Sequence, residues 1–320
     1  MGDADGDGSV GALDLTVVLA QWGQLPTGGQ SGDLSGDGRV DAADLALVLG
    51  QWGVCVEVPA WAVLIEAQPD PAVVTDPELR EAIRAEGLAW RVRDIASGIE
   101  MLLVPAYSFR MGARPNDALA FTDERPLHHV SITRAYYLGR YETTQAEYAG
   151  VMGFNPSYFN QSSLRGDMSR PVESVSFEMI GEFLAESGLR LPTEAEWEFA
   201  CRAGTDSPTH AAPGQPSTEI AWYEPNSGMQ TNPVGMLEGN PLGFHDMLGN
   251  VWEWVADWYS GGYYAFSPLE DPQGPSSGIF RVIRGGSWYV PDSNLRSAMR
   301  GAYFTTGILS DTGFRVARNP

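Results

Sequence analysis

Apolar residues recur at helical spacing twice near the N-terminus: Leu15, Val18, Leu19 and Trp22 form one stripe, and Leu45, Val48, Leu49 and Trp52 repeat it thirty residues later. Positions i, i+3, i+4 and i+7 share one helix face. Each stripe therefore predicts an amphipathic helix, with Gly23 and Gly53 as stops. Further on, Asp76 and Pro77 read as the N-cap and first position of a short helix that Gly87 ends. Ser176 to Gly188 joins a Ser cap to a Gly stop, and Thr193 to Gly204 opens with a Thr193/Glu196 capping box. From about Ala89 to Pro320 the remainder is short apolar segments cut by Gly, Pro and Asn turns, the texture of an α+β domain with little regular structure. Within it Trp252, Trp254 and Trp258 alternate on one face of an extended strand, and Glu253 points the other way.

Each N-terminal stripe follows a carboxylate-rich loop. Asp3, Asp7, Gly8, Val10, Asp14 and Trp22 recur thirty positions on as Asp33, Asp37, Gly38, Val40, Asp44 and Trp52, which marks a duplication. Calcium explains the spacing, because a hard cation takes roughly six to eight oxygens and a glycine at loop position 6 permits the sharp turn. The first loop offers Asp3, Asp5, Asp7, the Ser9 carbonyl and Asp14. The second offers Asp33, Ser35, Asp37, the Arg39 carbonyl and Asp44, and its hydroxyl in place of a carboxylate predicts weaker binding. An acidic disordered tail is the plain alternative, but a solvated charge run has no need to repeat Gly and Trp in register. Both loops end in Asp where EF-hands usually carry Glu, and no clear entering helix precedes them. The tandem pair resembles a type I dockerin. That resemblance implies a cohesin-like protein as partner and a place outside the cytoplasm, extracellular or at the cell surface.

A net charge of −21 over 320 residues argues against nucleic acid and anionic membrane surfaces as partners. A third of that charge, eight Asp against Arg39, lies in residues 1–53. All twenty basic residues are arginine, which excludes a Schiff-base lysine. Cys55 and Cys201 are too few for a disulfide framework, and the sequence does not decide whether they pair. No export signal, anchor or membrane-length apolar run is visible, so Met1, directly before the first loop, reads as a truncated or misassigned start. The expected domains are a dockerin-like repeat at 1–53, a packed linker with a short helix at 54–87, and a large domain at 88–320.

The large domain carries MG at 111–112, ERPLHHV at 124–130, RPVESVSF at 170–177, LRLPTEAEWEFACRAG at 189–204, GFHDMLGNVWEWVADWY at 243–259, RVIRGGSW at 281–288 and GFRVA at 313–317. In this order they resemble the sulfatase-modifying-factor family, the formylglycine-generating-enzyme-like domains, over roughly residues 98–320. The resemblance implies a C-type-lectin-like fold beside the small all-α dockerin. It implies calcium held by the side chains of Asp246 and Glu253 and the carbonyls of Gly249 and Val251, and a substrate cleft at Trp252, Ser287 and Trp288. A tight Gly285–Gly286 turn that Ser287 merely caps is an equal reading of that stretch. Glu194, Glu196 and Glu198 near a helix N-terminus are assigned structure, not catalysis. Arg284, Arg296, Arg300 and Arg315 are expected to pair with core acids or carbonyls.

One departure decides the chemistry. The family's enzymes carry a closely spaced cysteine pair just after the GGS turn, whose soft thiolates bind Cu(I). Here Val290 and Leu295 stand near those places, and no cysteine follows Ser287. Cys201 reads as core packing, and the four histidines show no ligand spacing. No catalytic residue is therefore assigned, and copper is not expected. A non-catalytic module binding a peptide or glycan is favoured over a formylglycine-generating oxidase and over a display domain variable in 288–311.

Overall fold

The computed structural model describes all residues except 1–3, 5–8, 25–31, 37, 51–52, 55, 161–166 and 213. Two compact units divide the chain, Met1–Glu57 and Val58–Pro320.

In the first unit, helices α1 (Ala12–Ala20) and α2 (Ala42–Gly50) form where the stripes place them. Strand β1 (Ser9–Val10) pairs antiparallel with β2 (Gly53–Val54), and Gly23 N donates to Val40 O at 2.8 Å. The chain leaving each helix thus returns to the loop before the other helix, so the duplication closes on itself. Two expectations change. Gly53 is a strand residue and not a helix stop, and the β-pair means that this unit is not purely helical. Burial also covers a narrower stripe than the spacing predicts: Val10, Val18, Val40 and Val48 are buried with Leu15, Leu34 and Leu45 against them. Leu19, Leu49 and Trp22 remain 53%, 56% and 43% exposed, because two short helices bury only the faces they turn to each other. Trp52 lies outside the described residues.

The second unit is built on a five-stranded sheet and a four-stranded sheet. The first runs β13 (Ala317–Arg318), β8 (Tyr136–Gly139), β5 (Glu100–Val104), β4 (Arg91–Asp94), β3 (Ala62–Glu66) in spatial order. Its edge strand β3 falls in the segment read as a linker; Pro69, Pro71 and Pro77 follow that strand and do not interrupt it. The second sheet runs β11 (Arg300–Phe304), β10 (Phe280–Arg284), β9 (Trp252–Trp258), β12 (Thr312–Phe314). A hairpin of β6 (Tyr107–Met111) and β7 (His128–Ile132) stands apart from both sheets.

Capping fixes the helices here. Asp76 caps α3 (Pro77–Ala85), accepting from Glu78 N and Leu79 N. Helix α4 (Gln145–Met152) opens with a Thr144/Glu147 capping box; it lacks a clear apolar stripe and buries Gln145 beside Tyr148, which hides it from periodicity. Helix α5 (Phe177–Ser187) runs from the Ser176 cap to Gly188, as predicted. Helix α6 (Glu194–Arg202) has the predicted box and ends at Ala203 in the left-handed region, one residue before Gly204.

Helix α6 has almost no solvent face, since Trp197, Phe199 and Cys201 are buried along with Glu194, Glu198 and Arg202. Buried ion pairs tie it to the second sheet. Glu194 holds Arg300 at 2.7 Å, and Glu198 holds both Arg202, at 2.8 Å, and Arg284. Arg296 pairs with Glu124, and Arg315 with Glu253 at 2.8 Å. All four arginines of the final motifs thus neutralise core acids, as expected from their placement. Breaking one such pair leaves an uncompensated buried charge and costs about 3–5 kcal/mol.

Candidate functional site

The Gly285–Gly286–Ser287 turn sits where the chain leaves β10. Gly285 and Gly286 have φ of +95° and +82°, and a Cβ on Gly285 would lie 3.0 Å from Met247 O, so glycine is required twice over. Ser287 is fully buried with Oγ 3.3 Å from Asp311 Oδ2, while Trp252 N donates to Asp311 O at 2.8 Å and Trp288 Nε1 to Ser310 O at 3.0 Å. The three cleft residues expected from sequence thus contact the Ser310–Asp311 segment, Trp252 through its main chain and only Ser287 at the Asp311 carboxylate. Asp311 was missed; its only sequence signal is its position just before GFRVA. Burial raises its carboxyl above the usual range, against hydrogen bonds from Thr312 and Ser287. Beside the turn runs an aromatic row: Tyr158 against Phe159 at 5.0 Å, Phe159 against Trp288 at 5.5 Å, and Trp288 against Tyr289 at 5.3 Å between ring centres. Its two ends are open, Tyr158 at 67% and Tyr289 at 59% exposure.

Val290 and Leu295 converge on this turn. A Cβ on Gly286 would meet Val290 Cγ2 and Leu295 Cδ2, each at 3.2 Å. Two aliphatic side chains thus close around one point, and neither can bind metal. Cys201 is fully buried and lies 3.5 Å from Ser297 Oγ. Burial pushes its thiol up to about 12, so at neutral pH the reactive thiolate is scarce. Cys55 lies outside the described residues.

A second constellation underlies β9. Asp246 is buried in the left-handed region at φ +55°; its Oδ2 accepts from Gly235 N at 2.6 Å, and its Oδ1 has no hydrogen-bond partner. Glu142 accepts from Val251 N at 3.0 Å and Asn250 Nδ2 at 2.7 Å. Glu253 takes Trp197 Nε1 at 2.7 Å and Arg315 Nη2 at 2.8 Å, and is 1% exposed, far from an ordinary surface strand residue. Burial and the neighbouring Asp246 and Glu253 drive the Glu142 carboxyl well above its usual range. Burial likewise lifts Asp246 to about 6, outweighing the Gly235 hydrogen bond and Arg315. Three buried carboxylates face one arginine, and one oxygen is orphaned. Glu253 is already held by Arg315 and Trp197, so of the side chains expected to hold calcium only Asp246 leaves an oxygen without a partner. Among the described residues no three His, Cys, Asp or Glu side chains gather to hold a metal, so a cation here would draw on main-chain carbonyls as well.

In the first unit, Asp33 Oδ1 accepts from Gly36 N at 2.9 Å and Oδ2 from Gly38 N at 3.0 Å, folding the second loop around its first carboxylate. Gly38, at loop position 6, has φ +83°. Ser35 Oγ is 3.4 Å from Asp33 Oδ1, and Arg39 is exposed just beyond Gly38. Asp44 is buried and accepts from Leu34, Ser35 and Asp41 N; burial would raise its carboxyl, but these donors bring it below its usual range. Asp14 is likewise buried in the first loop, accepting from Gly11 N at 2.7 Å and Ala4 N at 2.5 Å, and Ser9 supplies β1. Asp3, Asp5, Asp7 and Asp37 lie outside the described residues. The all-oxygen donors and the left-handed glycine fit calcium.

A mixed α/β domain with sparse regular structure, an arginine–carboxylate core and a GGS turn against a Trp-rich strand defines a C-type-lectin-like class. Residues 91–320 match the model of the sulfatase-modifying factor enzyme 1-like domain, and the chain belongs to that family. Residues 1–51 match the dockerin type I domain. A formylglycine-generating enzyme of Streptomyces coelicolor is 35% identical over 175 residues, covering 50% of this chain and 56% of that protein. A serine/threonine-protein kinase pkn1 of Chlamydia caviae is 30% identical over 68% of this chain, which spans 38% of that protein. Among solved structures, Treponema denticola variable protein 1 matches with a TM-score of 0.63 at 30% identity, covering 69% of this chain and 95% of that one. PvdO from Pseudomonas aeruginosa matches with a TM-score of 0.64 at 27% identity, covering 72% and 98%.

Proposed function

We infer that the large domain is a calcium-stabilised binding module that takes a peptide or glycan at the Ser287 turn and performs no oxidation. The carrying observation is the convergence of Val290 and Leu295 on Gly286, an apolar contact where the family's copper chemistry needs two thiolates. The exposed rings of Tyr158 and Tyr289 at the two ends of the aromatic row offer surfaces that sugars and peptide side chains pack against. Asp246 and Glu253, with the carbonyls of Gly249 and Val251, would hold calcium there and cross-link β9 to the loops around it. Copper-loaded protein incubated with oxygen and a sulfatase-type cysteine peptide should leave the peptide unchanged by mass spectrometry. Formylglycine formation, lost in Cys201→Ser, would overturn the reading.

The N-terminal unit, with calcium in both loops, docks a cohesin-like protein and so places the chain outside the cytoplasm. Its exposed Leu13, Leu19, Trp22 and Leu49 supply an apolar surface for that partner. No helix among the described residues is long and apolar enough to cross a membrane, which is consistent with attachment through a protein. A second reading, a display surface variable over 288–311, is favoured by the exposure of Tyr289, Phe304 and Ile308 in that segment. Sibling sequences differing mainly there would support it.

A further inference from the structure

A cavity of about 960 Å³ opens in the large domain between the end of β7, the caps of α5 and α6, and strand β10, and none of Trp252, Ser287, Trp288 or Asp311 lines it. Its volume is in the usual range for small-molecule sites. Three arginines line it, Arg134, Arg190 and Arg281, with Glu86, Glu196 and Asp271. The acids are already engaged. Glu196 takes Arg190 in two bonds of 2.7 Å, Asp271 takes Thr133 N at 2.8 Å, and Glu86 takes Ala106 N at 2.8 Å.

Arg281 is the exception. Its guanidinium carbon lies 3.7 Å from the Trp258 ring centre and 4.4 Å from that of Phe177, so stacking fixes its plane and leaves the in-plane N–H groups for hydrogen bonding. One of them donates to Ala256 O, while Nε is buried without an acceptor. Among the described residues Arg281 joins no ion pair, whereas Arg284 and Arg300 on the neighbouring strand positions do. Nε is shielded, but Nη2 is accessible and makes no hydrogen bond among the described residues, and an oxyanion that reaches it gains a charge-assisted bond. Arg281 therefore calls for a ligand oxygen.

We propose that this cavity is a second binding site of the domain and takes a carboxylated sugar, whose carboxylate meets the free edge of Arg281. Three acids balance three arginines around the wall, which suits one carboxylate better than a multiply charged phosphate. Gln273 and Asn319 add amide groups matched to hydroxyls. No step of chemistry is required of the site.

Titration calorimetry of the full chain in calcium tests this with D-galacturonate, galactose and inorganic phosphate, each up to about 20 mM. Galacturonate should bind, and galactose should not. Arg281→Gln should weaken binding tenfold or more, as loss of a charge-assisted hydrogen bond does. Because Arg281 also stacks, the exposed Arg134→Gln serves as a second variant, with binding weakened severalfold at an unchanged melting temperature. Arg93→Gln, exposed and outside the cavity, should bind as wild type does. Equal binding of galactose, displacement of galacturonate by phosphate, no galacturonate binding, or binding that survives both cavity variants would each overturn the proposal. The oxidation assay at the Ser287 turn is unaffected by any of these outcomes, so the two sites stand or fall separately.

Discussion

The two units handle buried carboxylate in opposite ways. In the large domain each of Glu124, Glu194, Glu198 and Glu253 meets an arginine from the last forty residues, so the core carries its own counter-charges. The small unit has eight Asp and only Arg39 in residues 1–53, and its core is four valines with three leucines against them. With Arg39 as its one basic side chain, it is expected to draw its remaining counter-charge from an external cation. The first unit is therefore expected to respond to calcium, while the second still buries Glu142, Glu173, Asp246 and Asp257 in no ion pair among the described residues.

Removing calcium gives the largest expected effect. Residues 1–53 should lose α1 and α2 in EDTA, because eight Asp fall in this short stretch against Arg39 alone and few apolar groups oppose their repulsion. Circular dichroism of that segment, with and without calcium, measures it; equal helicity would erase the contrast between the units. Next, Arg284→Met leaves Glu198 with Arg202 alone and the Met299 and Ser297 carbonyls without their donor, and the large domain should lose about 3–5 kcal/mol at neutral pH. Burial alone would raise Glu198, but Arg202 and Arg284 hold it below its usual range. A depressed carboxylate stabilises above its unfolded pKa and stops doing so as pH falls through its folded one. The gap between wild type and variant in chemical denaturation should therefore narrow in acid.

Much of this organisation was legible in the sequence. Caps at Asp76, Ser176 and Thr193 marked three helices because capping is local chemistry, and the thirty-residue repeat marked the two loops. The motifs from MG at 111–112 to GFRVA marked the family that residues 91–320 match. What escaped was non-local. Strand β3 is defined by its partner Arg91–Asp94, α4 buries a glutamine in place of an apolar stripe, and Asp311 acquires its place only when β12 pairs with β9. Nor could spacing reveal that Glu253 is occupied by Arg315 and Trp197. This occupancy changes the choice of mutation, since Glu253→Ala would strand Arg315 whether or not calcium binds.

Asp246 is the cleaner probe of a place where the large domain resembles the small unit in burying carboxylate without an arginine partner. With its pKa raised from 3.8 to about 6 by burial, the metal-free domain binds more protons folded than unfolded between those values. Stability in chelator should therefore fall as pH rises through that window, by on the order of 2–3 kcal/mol. Calcium should abolish the fall, and Asp246→Asn should show neither the fall nor the calcium effect. Melting temperatures of residues 58–320 at about pH 5 and about pH 7, which span roughly half of that fall, check this. A wild-type domain indifferent to both chelator and pH would mean that arginines neutralise this core throughout.

The smallest effect on stability belongs to the small unit's open face. Leu19 and Leu49 are 53% and 56% exposed at equivalent places in the repeat, so replacing either with Ala should shift calcium-loaded stability by less than about 0.5 kcal/mol. Their worth lies in docking. If the duplicated face binds a cohesin-like protein, the double variant Leu19→Ala/Leu49→Ala should bind such a protein at least tenfold more weakly in calcium, since anchors buried at an interface centre carry most of its energy. The single variants discriminate further. A face used in one orientation loses affinity at one leucine only, whereas a face used in both orientations of its pseudo-twofold tolerates either single change and fails only when both are made. Surface plasmon resonance against a type I cohesin separates these outcomes, and undiminished binding by the double variant would remove this face from the interface.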